Sequence, residues 1–245
     1  DGVLVAEEAR MIKSDDEIAC MHWAMGVAEL GIAKMKEALK SGVTEVQLWA
    51  LLNYTNLANN GDWHDGRMLA SGARMNPWCQ EASEKVIQSG ELVGFDTDMI
   101  GPFGYFADIS RTLHCGPDKP TARQKKLYRL AVEEIDYNLK LVRPGISLNE
   151  FQRDAWPVPE EFQQNAYPCV IHGVGMCDEA PRVNPGFRGV NHYDSTLEAG
   201  MVICVESYIG AVGEPDGVKL EHQVLVTDDG YEMMSNYPLE DCLLD

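Results

Sequence analysis

The sequence predicts an α+β fold in which two pseudo-symmetric halves form one domain. Two observations support this prediction. Four segments carry the signals of a helix N-terminus, and the same order of helix and strand signals occurs in each half of the 245-residue chain. The repeat of about 100 residues is too long for a solenoid unit. A hydrophobic content of 45% is sufficient for a substantial core in a chain of this length.

The helix starts share one device, a Ser or Thr that caps the helix and a Glu or Gln three residues later. They are Ser14–Glu17, Thr44–Gln47, Thr121–Gln124 and Ser147–Glu150. The first helix has apolar residues at steps of three or four from Ile18 to Leu39, and Gly42 ends it. The third helix has a similar stripe and ends before Pro144. We therefore expect two long helices at the start of each half.

Strand-like stretches follow the helices in each half, and they form three matching pairs. These pairs are Met68–Gly72 with Cys169–Gly173, Leu92–Asp96 with Met201–Glu206, and Gly104–Asp108 with Gly217–Glu221. Because equivalent strands in pseudo-symmetric halves meet around a common centre, we expect the ends of these strands to lie close together.

Composition and charge exclude several classes of function. The formal net charge of −19 opposes binding to nucleic acid and to anionic membrane surfaces, and is compatible with cationic ligands and carboxylate metal sites. No apolar run reaches the ~18 residues of a membrane span. The seven cysteines have no CxxC spacing, which predicts free thiols in a reducing compartment, the cytoplasm. No glycine-rich nucleotide motif is present.

Acidic residues stand within the matching strands of both halves. Asp96 and Asp98 end one strand and Glu206 its counterpart, while Asp108 and Glu221 belong to a second pair of strands. Period-2 alternation is expected to place Asp96 and Asp98 on one face. Five converging carboxylates would repel one another, and two divalent metal ions would relieve that repulsion. For each single acid, a water-facing position at a strand end is the alternative.

His172 adds an imidazole to this set. It follows an apolar run and precedes Gly173-Val-Gly175, so it is either a hydrogen-bonded core histidine or a metal ligand. Beside five carboxylates we favour the ligand. Oxygen donors with one imidazole suit iron, manganese or cobalt. Two such ions can polarise a substrate oxygen and anchor a carboxylate.

These motifs resemble the pita-bread metallohydrolases, which include methionine aminopeptidase, prolidase, aminopeptidase P and creatinase. Gly104–Thr112 looks like the second-aspartate strand of that family, and His172–Gly175 like its metal-binding histidine. Val205–Tyr208 and Leu220–Thr227 look like its two glutamate strands. The resemblance implies helices packed outside a curved, mostly antiparallel sheet. It also implies two divalent or trivalent ions with Asp96, Asp98, Asp108, His172, Glu206 and Glu221 as ligands.

The start of the chain bears on domain organisation. The segment Arg10–Glu17 is similar to the junction that follows the N-terminal domain in this family. Residues 1–13 are therefore expected to be a linker from an upstream N-terminal domain, and residues 14–245 the pita-bread catalytic domain. Relatives of this architecture commonly pair, which implies a homodimer.

The chain departs from the family peptidases in three places. Asp108 lies twelve residues after Asp96 and ten after Asp98, so the first aspartate strand is altered. The stretch Arg74–Cys79 has no histidine where the peptidases have a substrate-binding one. The stretch Met176–Pro181 offers Asp178 where they have a catalytic histidine. Retained metal ligands with replaced proton-transfer groups indicate a different reaction on the same scaffold.

One branch of the superfamily fits these departures, the lyases that cleave zwitterionic dimethylsulfoniopropionate to dimethyl sulfide and acrylate. The resemblance implies iron as the metal, with manganese or cobalt as alternatives, and Asp178 as the base that removes the α-proton. Trp78 and Tyr167 are expected to contact the sulfonium cation through their aromatic faces, with simple packing as the alternative for each.

Two other functions stay open. An Xaa-Pro metallopeptidase would keep the metals and must work without the two histidines. A non-enzymatic binding module would keep only the fold. The other histidines are expected to lie at the surface or to support the ligands; they are His22, His64, His114, His192 and His222.

Overall fold

The computed structural model describes residues 2–189 and 195–245 of the protein. Within these residues the helices are α1 (Gly2–Met11), α2 (Asp15–Ala38), α3 (Glu45–Ala58), α4 (Ala122–Leu139), α5 (Leu148–Asp154), α6 (Glu160–Gln163) and α7 (Asp241–Leu244). The strands are β1 (Leu69–Ser71), β2 (Leu92–Asp96), β3 (Met99–Ile100), β4 (Phe106–Ala107), β5 (Ser110–His114), β6 (Ile171–Val174), β7 (Asp178–Val183), β8 (Val202–Ile209), β9 (Val218–Val226) and β10 (Tyr231–Met233).

The predicted helix starts are confirmed. Ser14, Thr44 and Thr121 each form a complete capping box, in which the side chain three residues later returns a bond to the backbone of the cap. Ser147 caps α5 by accepting a hydrogen bond from the Glu150 amide. This second helix of the second half is shorter than predicted. Pro157 and Pro159 follow it closely, and proline and the residue before it disfavour helix.

The sheets repeat one pairing pattern. The first-half sheet has the order β1-β2-β5, and the second-half sheet the order β10-β9-β8-β6-β7. All of these neighbouring strands are antiparallel. β1, β2 and β5 correspond to β6, β8 and β9, which confirms the pseudo-symmetric α+β prediction. The predicted curved sheet is divided into these two parts, with β3 and β4 as a separate pair.

The two sheets meet along β5 and β9. The hydroxyl of Thr112 donates to the Lys219 carbonyl at 2.8 Å, and the Lys219 amide donates to the Thr112 hydroxyl at 3.0 Å. Each half has its own apolar core. In the first, the stripe of α2, including Met25 and Ile32, packs against α3 and the first-half sheet. In the second, α4 packs against β8 and β9.

Residues 2–11 form helix α1, where the sequence predicted only a linker. The helix lies against the edge strand β7. Glu7 accepts a hydrogen bond from the Ala180 amide at 3.0 Å, and Arg10 donates to Glu179 at 3.0 Å. These contacts stabilise a helix that the sequence analysis did not predict, because the segment lacks an N-terminal capping signal. A connection to an upstream domain stays a prediction. Among the described helices, none is both long enough and apolar enough to cross a membrane.

Candidate metal centre

Three buried carboxylates come from the strands where the two halves meet. Asp96 ends β2, while Glu206 and Glu221 lie directly opposite each other in the ladder of β8 and β9. Their relative exposures are 3%, 1% and 0%. Charged carboxylates are costly to bury without a cation, so this convergence requires a source of positive charge.

Asp98 and Asp108 reach the same place from connecting segments. β2 ends at Asp96, and Asp98 follows with a φ of 35°, in the left-handed region that Asp adopts more readily than most residues. Asp108 lies between β4 and β5, and its Oδ1 accepts a hydrogen bond from the Asp98 amide at 3.3 Å. The predicted strand alternation of Asp96 and Asp98 is therefore wrong, as is the strand position of Asp108. Turns bring these acids together.

The strand register identifies which residues are symmetry equivalents. Asp96 lies opposite Ser110 in β2 and β5, as Glu206 lies opposite Glu221 in β8 and β9. Ser110, rather than the predicted Asp108, is thus the counterpart of Glu221. Its hydroxyl oxygen lies 2.6 Å from Oδ1 of Asp96 and 2.8 Å from Oε2 of Glu221. The one hydroxyl proton serves one carboxylate at a time and links the two halves.

His172 faces the carboxylates from β6, which lies next to the central strand β8. Its Nε2 lies 3.2 Å from Oε1 of Glu206, 3.5 Å from Oε1 of Glu221 and 3.9 Å from Oδ2 of Asp108. Burial acts to lower the pKa of His172, but the nearby carboxylates of Glu206 and Glu221 raise that pKa well above the ordinary value. An imidazole held this tightly by carboxylates is oriented for a shared cation.

Lys219 is the residue that the sequence analysis missed. Its Nζ lies 2.6 Å from Oε2 of Glu206, 3.0 Å from Oδ2 of Asp96 and 3.4 Å from Oε2 of Glu221. The side chain is completely buried. Burial acts to lower the pKa of Lys219, but the carboxylates raise it well above the ordinary value, so the residue is an ammonium ion. Its position two residues before Glu221 on one strand was the available signal.

One ammonium does not balance this site. In the deprotonated forms that bind metal, with five ionised carboxylates and a neutral His172, Lys219 leaves four negative charges without a fixed partner, which equals the charge of two divalent ions. Burial and the neighbouring Glu221 raise the pKa of Asp96 to about 8, and burial raises the pKa of Asp98 and Asp108 well above the ordinary value. For Glu221 burial acts in the same direction, but Lys219 and His172 hold its pKa well below the usual range.

Three groups of donor atoms can each surround a cation, because the atoms within a group lie within 4.8 Å of one another. They are Asp108–His172–Cys204–Glu221, Asp96–Glu206–Glu221 and Asp96–Asp98–Asp108. The second group is the set that already holds the Lys219 ammonium. The other two share Asp108. Among the described residues, the fully buried Oε1 of Glu221 has no hydrogen-bond partner, as expected for an atom that a metal completes. The donors therefore fit two adjacent ions.

Asp178 lies at the rim of this centre, at the start of β7. Its side chain is 55% exposed, and its Oδ1 lies 3.4 Å from Nδ1 of His172. Partial desolvation raises the pKa of Asp178, while His172 acts to lower it. The carboxylate belongs to none of the three donor groups. It is thus a solvent-accessible carboxylate in contact with a buried donor residue.

The two aromatic residues proposed for substrate contact have different surroundings. The Tyr167 ring already carries a cation, since Nζ of Lys219 lies 4.5 Å from its centroid. Trp78 belongs to the core of the second half, with 8% relative exposure, and its ring centroid lies 6.2 Å from that of Tyr208. Substrate contact by either ring stays a prediction.

The described histidines other than His172 lie outside the three donor groups. His64 is buried, and its Nδ1 lies 2.9 Å from the Thr97 carbonyl. His222 lies 2.8 Å from the Ser235 hydroxyl, and burial lowers its pKa to about 3. His22 is partly exposed beside Glu232. His114 is buried, and His192 lies outside the described residues.

The fold is the pita-bread fold with a candidate metal centre, and the comparison with known families agrees. Residues 19–228 match metallopeptidase family M24, so the chain belongs to that family. Two solved structures are similar. An Xaa-Pro dipeptidase from Bacillus anthracis has a TM-score of 0.86 and 26% identity over 96% of this chain and 65% of that one. The prolidase from Pyrococcus horikoshii has a TM-score of 0.84 and 27% identity over 96% and 66%.

Curated relatives include a different activity. The chain is 40% identical over its whole length to dimethylsulfoniopropionate lyase DddP from Roseobacter denitrificans, and covers 56% of that protein. The same identity and coverage hold for DddP from Roseovarius nubinhibens. An Xaa-Pro dipeptidase from Pyrococcus horikoshii is 30% identical over 94% of this chain and 64% of its own length. The chain therefore spans little more than half the length of the lyases it matches.

Proposed function

We propose that this chain is the catalytic part of a metal-dependent lyase that cleaves dimethylsulfoniopropionate to dimethyl sulfide and acrylate. Identity of 40% over the whole chain to proteins named for that activity supports the proposal. The observation that carries it is the Asp178 carboxylate, which lies at the rim in contact with His172. The resemblance to the family peptidases implies that they have a catalytic histidine in the corresponding stretch, where this chain has Asp178.

The proposed ligands are Asp96, Asp98, Asp108, His172, Glu206 and Glu221, whose donor atoms and excess negative charge fit two transition-metal ions. When bound, the ions would supply positive charge that anchors the substrate carboxylate and stabilises negative charge developing at its α-carbon. Lys219 would keep Asp96 and Glu206 in place through its short contacts with both.

Asp178 is the proposed base. Its carboxylate takes the α-proton, and the C–H electron pair becomes the second bond between the α- and β-carbons. The bond from the β-carbon to sulfur breaks, and its electron pair leaves with sulfur, so the sulfonium departs as neutral dimethyl sulfide. Water is not a reactant, so the hydrolytic histidines are not required. The raised pKa of Asp178 favours proton uptake near neutral pH.

The sulfonium group needs an environment that tolerates positive charge. An aromatic face provides one, and Tyr167 lies next to the acidic centre. Because Lys219 occupies one face of this ring, the substrate cation would use the other face. Trp78 would contribute from the neighbouring core if its indole becomes accessible to the ligand.

The proposal includes three further points. Iron is the proposed metal, with manganese or cobalt as alternatives, and metal analysis of the purified protein tests it. The homodimer is tested by light scattering. The seven cysteines are all unpaired in the structure, which supports a reducing compartment and hence the cytoplasm.

An Xaa-Pro dipeptidase is the second candidate. The similarity to two prolidase structures at TM-scores of 0.86 and 0.84 favours it, and so does the donor set, which serves hydrolysis equally well. It must explain how a chain without the two histidines assists the leaving amine.

One experiment separates these functions. The metal-loaded full-length protein is mixed with dimethylsulfoniopropionate and an Xaa-Pro dipeptide in one tube, and both are followed by proton NMR. Acrylate vinyl signals with intact dipeptide support the lyase. Loss of the dipeptide without acrylate overturns it in favour of the peptidase. No change in either substrate contradicts both activities. In that case, a metal content below about one ion per chain would favour a binding module, because an active member of the family holds its ions.

A further inference from the structure

Cys204 lies on the floor of the candidate metal centre. It is two residues before Glu206 on β8, so both side chains point to the same face of the second-half sheet. His172 on β6 is its direct cross-strand partner. The thiol is completely buried. A sulfur donor therefore lies beside the imidazole, on the face that carries the carboxylates.

The thiol belongs to a four-membered donor group with Asp108, His172 and Glu221. Within the part of the chain that the structure describes, the one polar contact of the Sγ atom is a long one of 3.9 Å, with the Asp108 carbonyl. In the same group, Oε1 of Glu221 is fully buried and lies 3.5 Å from Nε2 of His172, and no hydrogen-bond partner for it occurs in residues 2–189 and 195–245. An unpartnered buried oxygen among three other donors points to a cation as the missing partner.

Glu206 is less available for this position than its proximity to His172 suggests. Its Oε2 accepts a bond of 2.6 Å from the Lys219 ammonium, and its Oε1 lies 3.2 Å from Nε2 of His172. Among the described contacts, no protein cation competes with a metal ion for the Cys204 thiol. The thiol is thus the donor that completes a set of four.

We propose that Cys204 binds, as a thiolate, the metal ion held by Asp108, His172 and Glu221. This inference rests on the proposed metal centre and adds a ligand to it. On binding, a sulfur–metal bond forms and the thiol proton passes to solvent, with no change of oxidation state. A soft sulfur donor at this position selects against hard ions such as magnesium and in favour of iron, cobalt or zinc.

The test uses cobalt(II) in the intact protein. Wild type is loaded with one and two equivalents, and bound cobalt is counted by elemental analysis. A near-ultraviolet charge-transfer band from sulfur to cobalt is expected for wild type. Cys204→Ser and Cys204→Ala should lose the band, and cobalt affinity should fall by at least the ~10–100-fold that loss of an outer-shell partner costs. Cys115→Ala is the matched control, because Cys115 is equally buried in the first-half core.

The outcomes are distinguishable. Cobalt bound without the band in wild type, or a band that persists in Cys204→Ala, overturns the thiolate ligand and leaves the proposed function intact. Failure of wild type to bind cobalt would instead remove the metal centre itself. If the Cys204 variants do not fold, X-ray absorption of the zinc-loaded wild type decides. A zinc–sulfur distance of ~2.3 Å that persists in Cys115→Ala is expected, and oxygen and nitrogen scattering alone overturns the proposal.

Discussion

The ammonium nitrogen of Lys219 lies 3.0 Å from Oδ2 of Asp96, and this contact joins the second half of the domain to the first. The same nitrogen contacts Glu206 and Glu221, so one cation serves carboxylates from three strands. Lys219 thus occupies the donor group formed by these three acids. The protein therefore supplies one positive charge of its own, beside the positions proposed for the metal ions.

Replacing Lys219 tests its role as an internal cation. In Lys219→Met the three carboxylates lose their fixed partner, and removal of one member of a buried ion pair typically costs ~3–5 kcal/mol. We expect a fall of that size in the free energy of unfolding of the metal-free protein, measured with urea. Lys219→Arg should lose less, because it keeps the charge. The exposed Lys40 supplies the control substitution, Lys40→Met. Equal stability of Lys219→Met and Lys40→Met would contradict this role.

Sequence patterns predicted the fold, and the residues that form the acidic cluster, better than they predicted the local geometry of that cluster. The convergence of Asp96, Glu206 and Glu221 followed from matching strands, and their donor atoms lie within 4.8 Å of one another. The path to Asp98 could not be predicted, because a left-handed residue after a strand leaves no periodic signal. Lys219 was overlooked for another reason. A lysine in a strand normally predicts a solvent-facing position, and only the tertiary fold shows that its partners are buried with it.

Replacing Asp178 tests the proposed base. Asp178→Asn and Asp178→Ala should reduce lyase turnover by ~10²–10⁴-fold, because general-base catalysis is lost. Metal content should stay near wild type, since Asp178 belongs to none of the donor groups. Acrylate production and elemental analysis on the same samples check both expectations. Asp228→Asn, at an exposed turn, is the control. Full activity in either Asp178 variant would remove this residue from the mechanism.

The buried carboxyl group of Glu134 is expected to make the stability of the protein depend on pH. This residue of α4 is buried behind β8 and accepts a hydrogen bond of 2.6 Å from Ser207. Burial raises its pKa from the ordinary 4.5 to about 8. Between pH 4.5 and about 8, the Glu134 carboxyl keeps its proton in the folded protein but has lost it in the unfolded chain. The contribution of Glu134 to the free energy of unfolding therefore falls as pH rises. Glu134→Gln removes this titration, so the free energy of unfolding should fall less over the same pH interval. The difference should be a few kcal/mol, at ~1.4 kcal/mol per pH unit.

Urea unfolding at both ends of this pH interval measures the effect. Near the upper end Glu134→Gln should be more stable than wild type, and near the lower end the two should differ little. The exposed Glu160 provides the control, because Glu160→Gln should leave the pH profile unchanged. A wild-type profile parallel to that of Glu134→Gln would show that the carboxyl at this position does not retain its proton.

The last prediction concerns the ion pair of Lys13 and Glu179, which anchors the segment after α1 beside the proposed base. Nζ of Lys13 lies 2.6 Å from Oε1 of Glu179, and both side chains are 2% exposed or less. Glu179 directly follows Asp178 in β7, so movement of this edge strand displaces the base. We expect Lys13→Met to lower the free energy of unfolding, but by less than the ~3–5 kcal/mol of a fully stranded charge, because Arg10 still pairs with Glu179. Turnover should fall more than substrate affinity, because the base rather than the binding groups moves.

A double-mutant cycle makes the prediction specific. Glu179→Leu strands the buried Lys13 ammonium, and Lys13→Met leaves Glu179 with only the partly exposed Arg10. Lys13→Met combined with Glu179→Leu should therefore cost less than the sum of the two single changes. The exposed pair of Arg67 and Glu81, 3.0 Å apart with side chains more than half exposed, is the matched control and should couple by only ~0–1 kcal/mol. Additive losses at Lys13 and Glu179 would mean that the contact contributes no more than a surface pair. If turnover is unchanged in a destabilised Lys13→Met variant, α1 and the segment after it have only a structural role. In that case β7 holds Asp178 in place without the contact between Lys13 and Glu179.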